Sequence, residues 1–240
     1  MALDEQALKA LGNMDLKAVF FDMDGVLFNS MPFHAKAWVE AFKSIGIDFN
    51  EYEAYMREGM TGNGTINEMF QKTYGRLATE EECKKLYQTK MHLFEECGKA
   101  GTIPDVDKVL KTVKENGLDI YIVTGSGQKS LINKLDSAFP GIFSKDKMIT
   151  AYDVKKGKPD PEPYLMAQAK GKYQKNEAIV VENAPLGVVA GKAAGLFTIA
   201  VNTGILKDEE LTSRGADLLY HNMEELWEEL PTIIKTSKKQ

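Results

Sequence analysis

The sequence predicts an α/β fold, a parallel sheet core interrupted by a helical insert, and three observations predict it. Short β-branched or aromatic runs recur along the chain, helical stretches separate the later runs, and the strand signal vanishes between residues 32 and 101. The runs lie at 17–21, 118–123, 147–150, 178–181 and 197–201. Each is almost continuously apolar, as strands covered on both faces are. Helical stretches run from Pro161 to Lys170 and from Pro185 to Ala194, the second closed by Gly195 as a left-handed cap. Strands that alternate with helices must run parallel, because each return crosses a face of the sheet. The core is therefore expected to be Rossmann-like.

In the insert, Trp38, Phe42 and Ile45 recur at i, i+4 and i+7, with Met69, Leu86, Met91 and Phe94 further on. This spacing predicts a helical cap over 31–101 between two parts of one core, 1–30 and 102–240. Lys99-Ala-Gly101-Thr-Ile-Pro104 is small and turn-prone, which places a hinge at the return to the core.

Composition narrows the class. With 43% hydrophobic and 27% charged residues, 240 residues suffice to bury a core. A net charge of −5 offers no basic field to nucleic acid. The N-terminal stretch carries acidic residues where a signal peptide needs basic ones, and no apolar run approaches the roughly 20 residues of a membrane span. A cytoplasmic monomer with no membrane contact is expected. Cys83 and Cys97 lack the paired spacing of a zinc site or disulfide framework and are read as packing residues.

Chemistry-bearing residues gather at strand ends. The first strand runs into Asp22-Met23-Asp24-Gly25, two carboxylates at the rim where open α/β sheets bind ligands; taken alone, the motif is equally a self-bonded turn. The second strand ends in Thr124-Gly125-Ser126-Gly127, hydroxyls and free amides suited to phosphate oxygens, or simply a helix cap. Lys158 is held by flanking prolines before a helix N-capped by Asp160, and a lysine so fixed neutralises a carboxylate and a phosphate together. The fourth strand ends in Glu182-Asn183, hard oxygen donors that with Asp22 and the Asp24 carbonyl suit a magnesium ion; Asn183 is alternatively a helix cap.

These four elements in this order resemble the haloacid dehalogenase superfamily, over about residues 17 to 220. The insert resembles the cap of its β-phosphoglucomutase-like branch, including Asn29-Ser30, His34 and Trp38. The resemblance implies that Asp22 is the nucleophile that becomes a phosphoaspartate. It implies that Asp24 is the proton donor and later the base, helped into position by His34, and that Thr124 and Lys158 hold the phosphoryl group. Gly125, Ser126, His34 and Lys90 are placed on the phosphate side, and Asp22, Asp24, Glu182, Asn183 and Glu58 around Mg2+.

Two departures from the mutase pattern point to a hydrolase. Gly62 stands where that branch carries a phosphate-clamping arginine, the nearest being Arg57, and Lys90 matches a phosphate less well than a guanidinium. Asn183 replaces an acidic residue, and Glu58 is expected to restore that charge at the metal when the cap closes; its plainer role is a solvated helix residue. The expected substrate is small, pyrophosphate or a small phosphate monoester. The alternatives are a β-phosphoglucomutase-type mutase and an inactive binding protein. Intact Asp22, Asp24, Thr124, Lys158 and Glu182 argue against the last, and Asp24 argues against dehalogenation.

Overall fold

Ala18–Phe21 (β1) lies inside a sheet whose other strands are Asp119–Val123 (β2), Met148–Ile149 (β3), Ala178–Glu182 (β4), Phe197–Val201 (β5) and Leu218–Tyr220 (β6). The computed structural model describes residues 3–127 and 129–238. Among the described residues the strand order is β3-β2-β1-β4-β5-β6, all parallel. The five runs expected from sequence are all strands. The sixth, Leu218–Tyr220, lacks the length that marks a strand locally and is held by pairing Ile199 with Leu218 and Val201 with Tyr220.

Period-two alternation explains the unbroken apolar runs. Val19 and Phe21 point to one face, joining Ile120, Ile122, Ile179 and Val181 against helices Glu5–Gly12 (α1), Val106–Glu115 (α6) and Met223–Ser237 (α12). Ala18 and Phe20 point to the other, with Tyr121, Val123 and Val180 against Glu162–Gly171 (α9) and Pro185–Ala193 (α10). Phe20 and Phe21 are fully buried, each contributing about 1.5–3 kcal/mol.

Between β1 and β2 the chain forms Met31–Lys43 (α2), Glu51–Met56 (α3), Gly62–Tyr74 (α4) and Glu80–Glu96 (α5). Capping boxes at Asn50/Glu53 and Thr79/Glu82 start α3 and α5, and Gly75, at φ 67°, ends α4. Trp38, Phe42, Ile66, Met69 and Leu86 form a separate apolar cluster joined by one residue from beyond the insert, Leu206. Ile45 departs from its expected place on this face: α2 stops at Lys43, and Ile45 is 39% exposed in the following turn.

The two connections of the insert run side by side, with Asn29 N–H donating to the Gly101 carbonyl and Ile103 N–H to that of Leu27, each at 2.9 Å. Lys129–Ile132 (α7), Leu135–Ala138 (α8) and Asp208–Thr212 (α11) complete the helices. Helix α9 begins one residue later than its prolines suggest: Pro161 is its N-cap, and Asp160 Oδ1 accepts the Glu162 N–H at 3.0 Å. Helix α10 ends before Ala194, and Gly195 adopts φ 78° as expected. No helix among the described residues is long and apolar enough to cross a membrane.

Candidate active site

β1 is flanked by β2 and β4, so the residues following these three strands meet at one rim, where the chain order reverses across the sheet. Asp22 is anchored by its N–H to the Val181 carbonyl at 3.0 Å and Thr124 by its N–H to that of Ile149 at 2.9 Å. The sequence-predicted residues Asp22, Asp24, Thr124, Lys158, Glu182, Asn183, Glu58, His34 and Lys90 are all buried. Gly125 and Ser126 line the same cavity, and the Ser126 N–H donates to Thr124 Oγ1 at 2.9 Å.

Lys158 has its ammonium on Asp22 Oδ1, on Glu182 Oε1 at 2.6 Å and on the Val123 carbonyl at 2.9 Å. Burial works against its charge, but the two carboxylates outweigh burial and raise its pKa, so it stays protonated. Glu182 also accepts the Tyr164 hydroxyl at 2.5 Å on Oε1 and the Asn183 N–H at 3.2 Å on Oε2. Its geometry is that of a counter-ion to Lys158, whereas the sequence places it among the metal donors.

Asp24 accepts from Ser30 Oγ at 2.5 Å and pairs with His34 Nε2 at 3.0 Å, while Lys90 Nζ lies 2.7 Å from His34 Nδ1. An amine donating to Nδ1 leaves the imidazole proton on Nε2, facing Asp24. Burial alone would raise Asp24, yet the interaction with His34, the bond from Ser30 and the charge of Lys90 hold it below the usual carboxylate range. Burial pushes Lys90 down to about 7. Lys90 thus acts on Asp24 through His34, beside the faces of Trp38 and Phe94.

The opposite wall comes from the insert. Asn183 does not cap α10; its Nδ2 donates to Glu58 Oε1 at 2.9 Å. Gly25, at φ 75°, turns the chain beneath this pair, where a Cβ would stand 2.0 Å from Asn183 Nδ2. Thr203 Oγ1 pins the turn by donating to the Gly25 carbonyl at 2.6 Å. Glu58 Oε2 and Asn183 Oδ1 are buried without a hydrogen-bond partner, a costly state that a cation would relieve. Burial, then repulsion from Asp22, raises Glu58 well above the usual range; burial, with Glu182 and Asp24, pushes Asp22 up to about 8 despite Lys158. Surplus negative charge and orphaned hard oxygens suit magnesium. Among the described residues no three His, Cys, Asp or Glu side chains already converge as a metal cluster.

Arg57 is no clamp. Its guanidinium is committed to Glu68, at 2.9 Å, and to the Glu53 carbonyl, at 3.1 Å. Tyr87 was not singled out by sequence reasoning: its ring lies on Gly62, where a Cβ would meet Cε2 at 2.2 Å. Twenty-five positions of chain separate the two, so no local pattern links them. With Tyr87, Glu58 and Lys90 closing over the rim, the cavity measures about 50 Å³.

The family model of the haloacid dehalogenase-like hydrolases matches residues 16–195. Similar proteins include the provisionally named pyrophosphatase PpaX of Clostridium perfringens, 33% identical over 206 residues that span 84% of this chain and 91% of that protein. Hexitol phosphatase A of Escherichia coli is 27% identical, over 89% of this chain and 94% of its own. A solved structure from Bacteroides vulgatus, provisionally named a β-phosphoglucomutase, is 49% identical, with a TM-score of 0.93 over 97% of this chain and 98% of that one.

Proposed function

The chain belongs to the haloacid dehalogenase-like hydrolase family and is an enzyme of that type, and from that premise we propose a magnesium-dependent phosphohydrolase that acts on pyrophosphate or another small phosphate compound through a phosphoaspartate on Asp22. The observation that carries the substrate class is the cramped cavity. Glu58 and Lys90 reach into it from the insert beside Asp22 and Asp24, and the Tyr87 ring takes up the space over Gly62. A cavity so filled by side chains favours a small phosphate compound over a hexose phosphate. The pyrophosphatase name of the Clostridium relative agrees. The reading divides the chain into a core, 1–30 and 102–240, and a cap, 31–101.

An Asp22 carboxylate oxygen attacks phosphorus, forming the Asp22 O–P bond as the P–O bond to the leaving group breaks. Lys158 and Thr124 receive the charge that gathers on the phosphoryl oxygens. Magnesium, held by Asp22, the Asp24 carbonyl, Asn183 and Glu58, would add further charge stabilisation. Asp24 delivers a proton to a leaving oxygen that needs one. It then takes the proton of the water that attacks the acyl phosphate, releasing phosphate and restoring Asp22. Held below the usual carboxylate range by His34 and Ser30, Asp24 suits this base step, and a leaving group such as phosphate departs with little protonation.

The test compares rates with Mg2+ on pyrophosphate, small monoesters, and β-glucose 1-phosphate primed with its bisphosphate, with phosphate and glucose 6-phosphate followed separately. Phosphate release at a kcat/KM of roughly 10⁴ M⁻¹s⁻¹ or more is expected. Predominant glucose 6-phosphate would establish a mutase instead. Glu58→Ala should raise the magnesium needed for half-maximal activity by about 10- to 100-fold; unchanged metal dependence would reduce Glu58 to a packing residue.

The raised carboxyls give a second, activity-free check. A carboxyl whose pKa is raised keeps its proton to higher pH, and a cation that binds it competes with that proton. Calorimetry in buffers of different ionisation enthalpy should therefore show proton release on Mg2+ binding and tighter binding as pH rises towards 8, the value to which Asp22 is pushed. Glu58→Gln should release fewer protons. Binding without proton release would show that Glu58 and Asp22 are already ionised.

A further inference from the structure

We propose that Tyr164 is a positioning residue for phosphoryl transfer, its hydroxyl setting how Lys158 is shared between Asp22 and Glu182, an inference that rests on the phosphohydrolase reading above. Tyr164 lies on α9, six residues after Lys158, and is fully buried. Its hydroxyl donates to Glu182 Oε1 at 2.5 Å, the oxygen that also holds Lys158 Nζ at 2.6 Å, and its ring centroid lies 5.3 Å from that nitrogen.

An ammonium has three donors. Those of Lys158 go to Asp22, Glu182 and the Val123 carbonyl. For Lys158 to reach the phosphoryl oxygens, one of these bonds must yield. The Asp22 bond is the one chemistry releases, because the charge of Asp22 passes to the phosphoryl group as its oxygen bonds phosphorus. Glu182 takes no part in the bond to phosphorus and still competes for the lysine. A hydroxyl donating to Glu182 Oε1 offsets part of that charge and weakens the hold. A phenylalanine would pack in the same space but leave Oε1 with Lys158 alone.

Tyr164→Phe removes only the hydroxyl. Its kcat on pyrophosphate is expected to fall about 10-fold with KM within about 2-fold, because the loss falls on a contact made as charge moves. In a Glu182→Gln background the same substitution should add no further loss. The ¹⁵N–¹H resonance of the Lys158 ammonium, identified by its absence in Lys158→Arg, should shift in Tyr164→Phe. Wild-type kcat in Tyr164→Phe, an equal loss in both backgrounds, or an unmoved resonance would overturn the proposal. The resonance needs no turnover, so a wild-type protein inactive on every phosphate compound would count against the phosphohydrolase reading while the resonance still decides the role of Tyr164.

Discussion

Asp22→Asn is expected to lower turnover on the order of 10⁴-fold or more while the protein stays folded, the largest effect of any single substitution in the site. An amide oxygen does not attack phosphorus, and the neighbouring carboxyls are held elsewhere: Asp24 by Ser30 and His34, Glu182 by Lys158 and Tyr164, and Glu58 through one oxygen by Asn183. Stability should change little. The amide fills the same space and still offers an oxygen acceptor to Lys158. The checks are phosphate release under saturating substrate and a melting temperature within a few degrees of wild type. Substantial residual turnover would remove the nucleophile assignment, and an acid-quenched covalent phosphate present in wild type and missing in the variant would support it.

Gly62→Arg is expected to cost on the order of 100-fold in kcat/KM for pyrophosphate, even though it restores the arginine of the mutase-like pattern. A Cβ at position 62 would lie 2.2 Å from Tyr87 Cε2 and 2.4 Å from Cδ2, closer than any contact between unbonded atoms. The ring would have to leave its place, and it is wedged beside Gly127, where a Cβ would meet its hydroxyl at 2.8 Å. Displacing it disturbs the closed cap. The double variant Gly62→Arg, Tyr87→Ala frees that volume and should recover cap closure, with activity redirected towards sugar phosphates bearing a second phosphate. Steady-state kinetics on pyrophosphate and on glucose 1-phosphate with its bisphosphate decide the matter. Wild-type pyrophosphate hydrolysis in Gly62→Arg would show that Tyr87 moves freely and does not limit the space.

Sequence alone determined the parallel α/β core, the helical insert, and the acidic, hydroxyl and lysine elements at the strand ends. The reason is that these signals are local. A strand buried on both faces is apolar throughout, a helix repeats its apolar positions, and a residue just past a parallel strand lies at the ligand-binding rim whatever the rest of the fold does. Where local signals are weak the reading fell short: Leu218–Tyr220 is a strand because Phe197–Val201 pairs with it, and Ile45 is exposed because α2 stops before it. Tertiary structure alone decided the wall that faces the rim. It set Tyr87 against Gly62, Glu58 against Asn183, Lys90 behind His34, and Tyr164 with Lys158 on Glu182. These contacts join residues of helices packed against distant strands, so they depend on how whole elements dock, and side-chain burial and charge compensation across that docked surface leave no periodic trace along the chain.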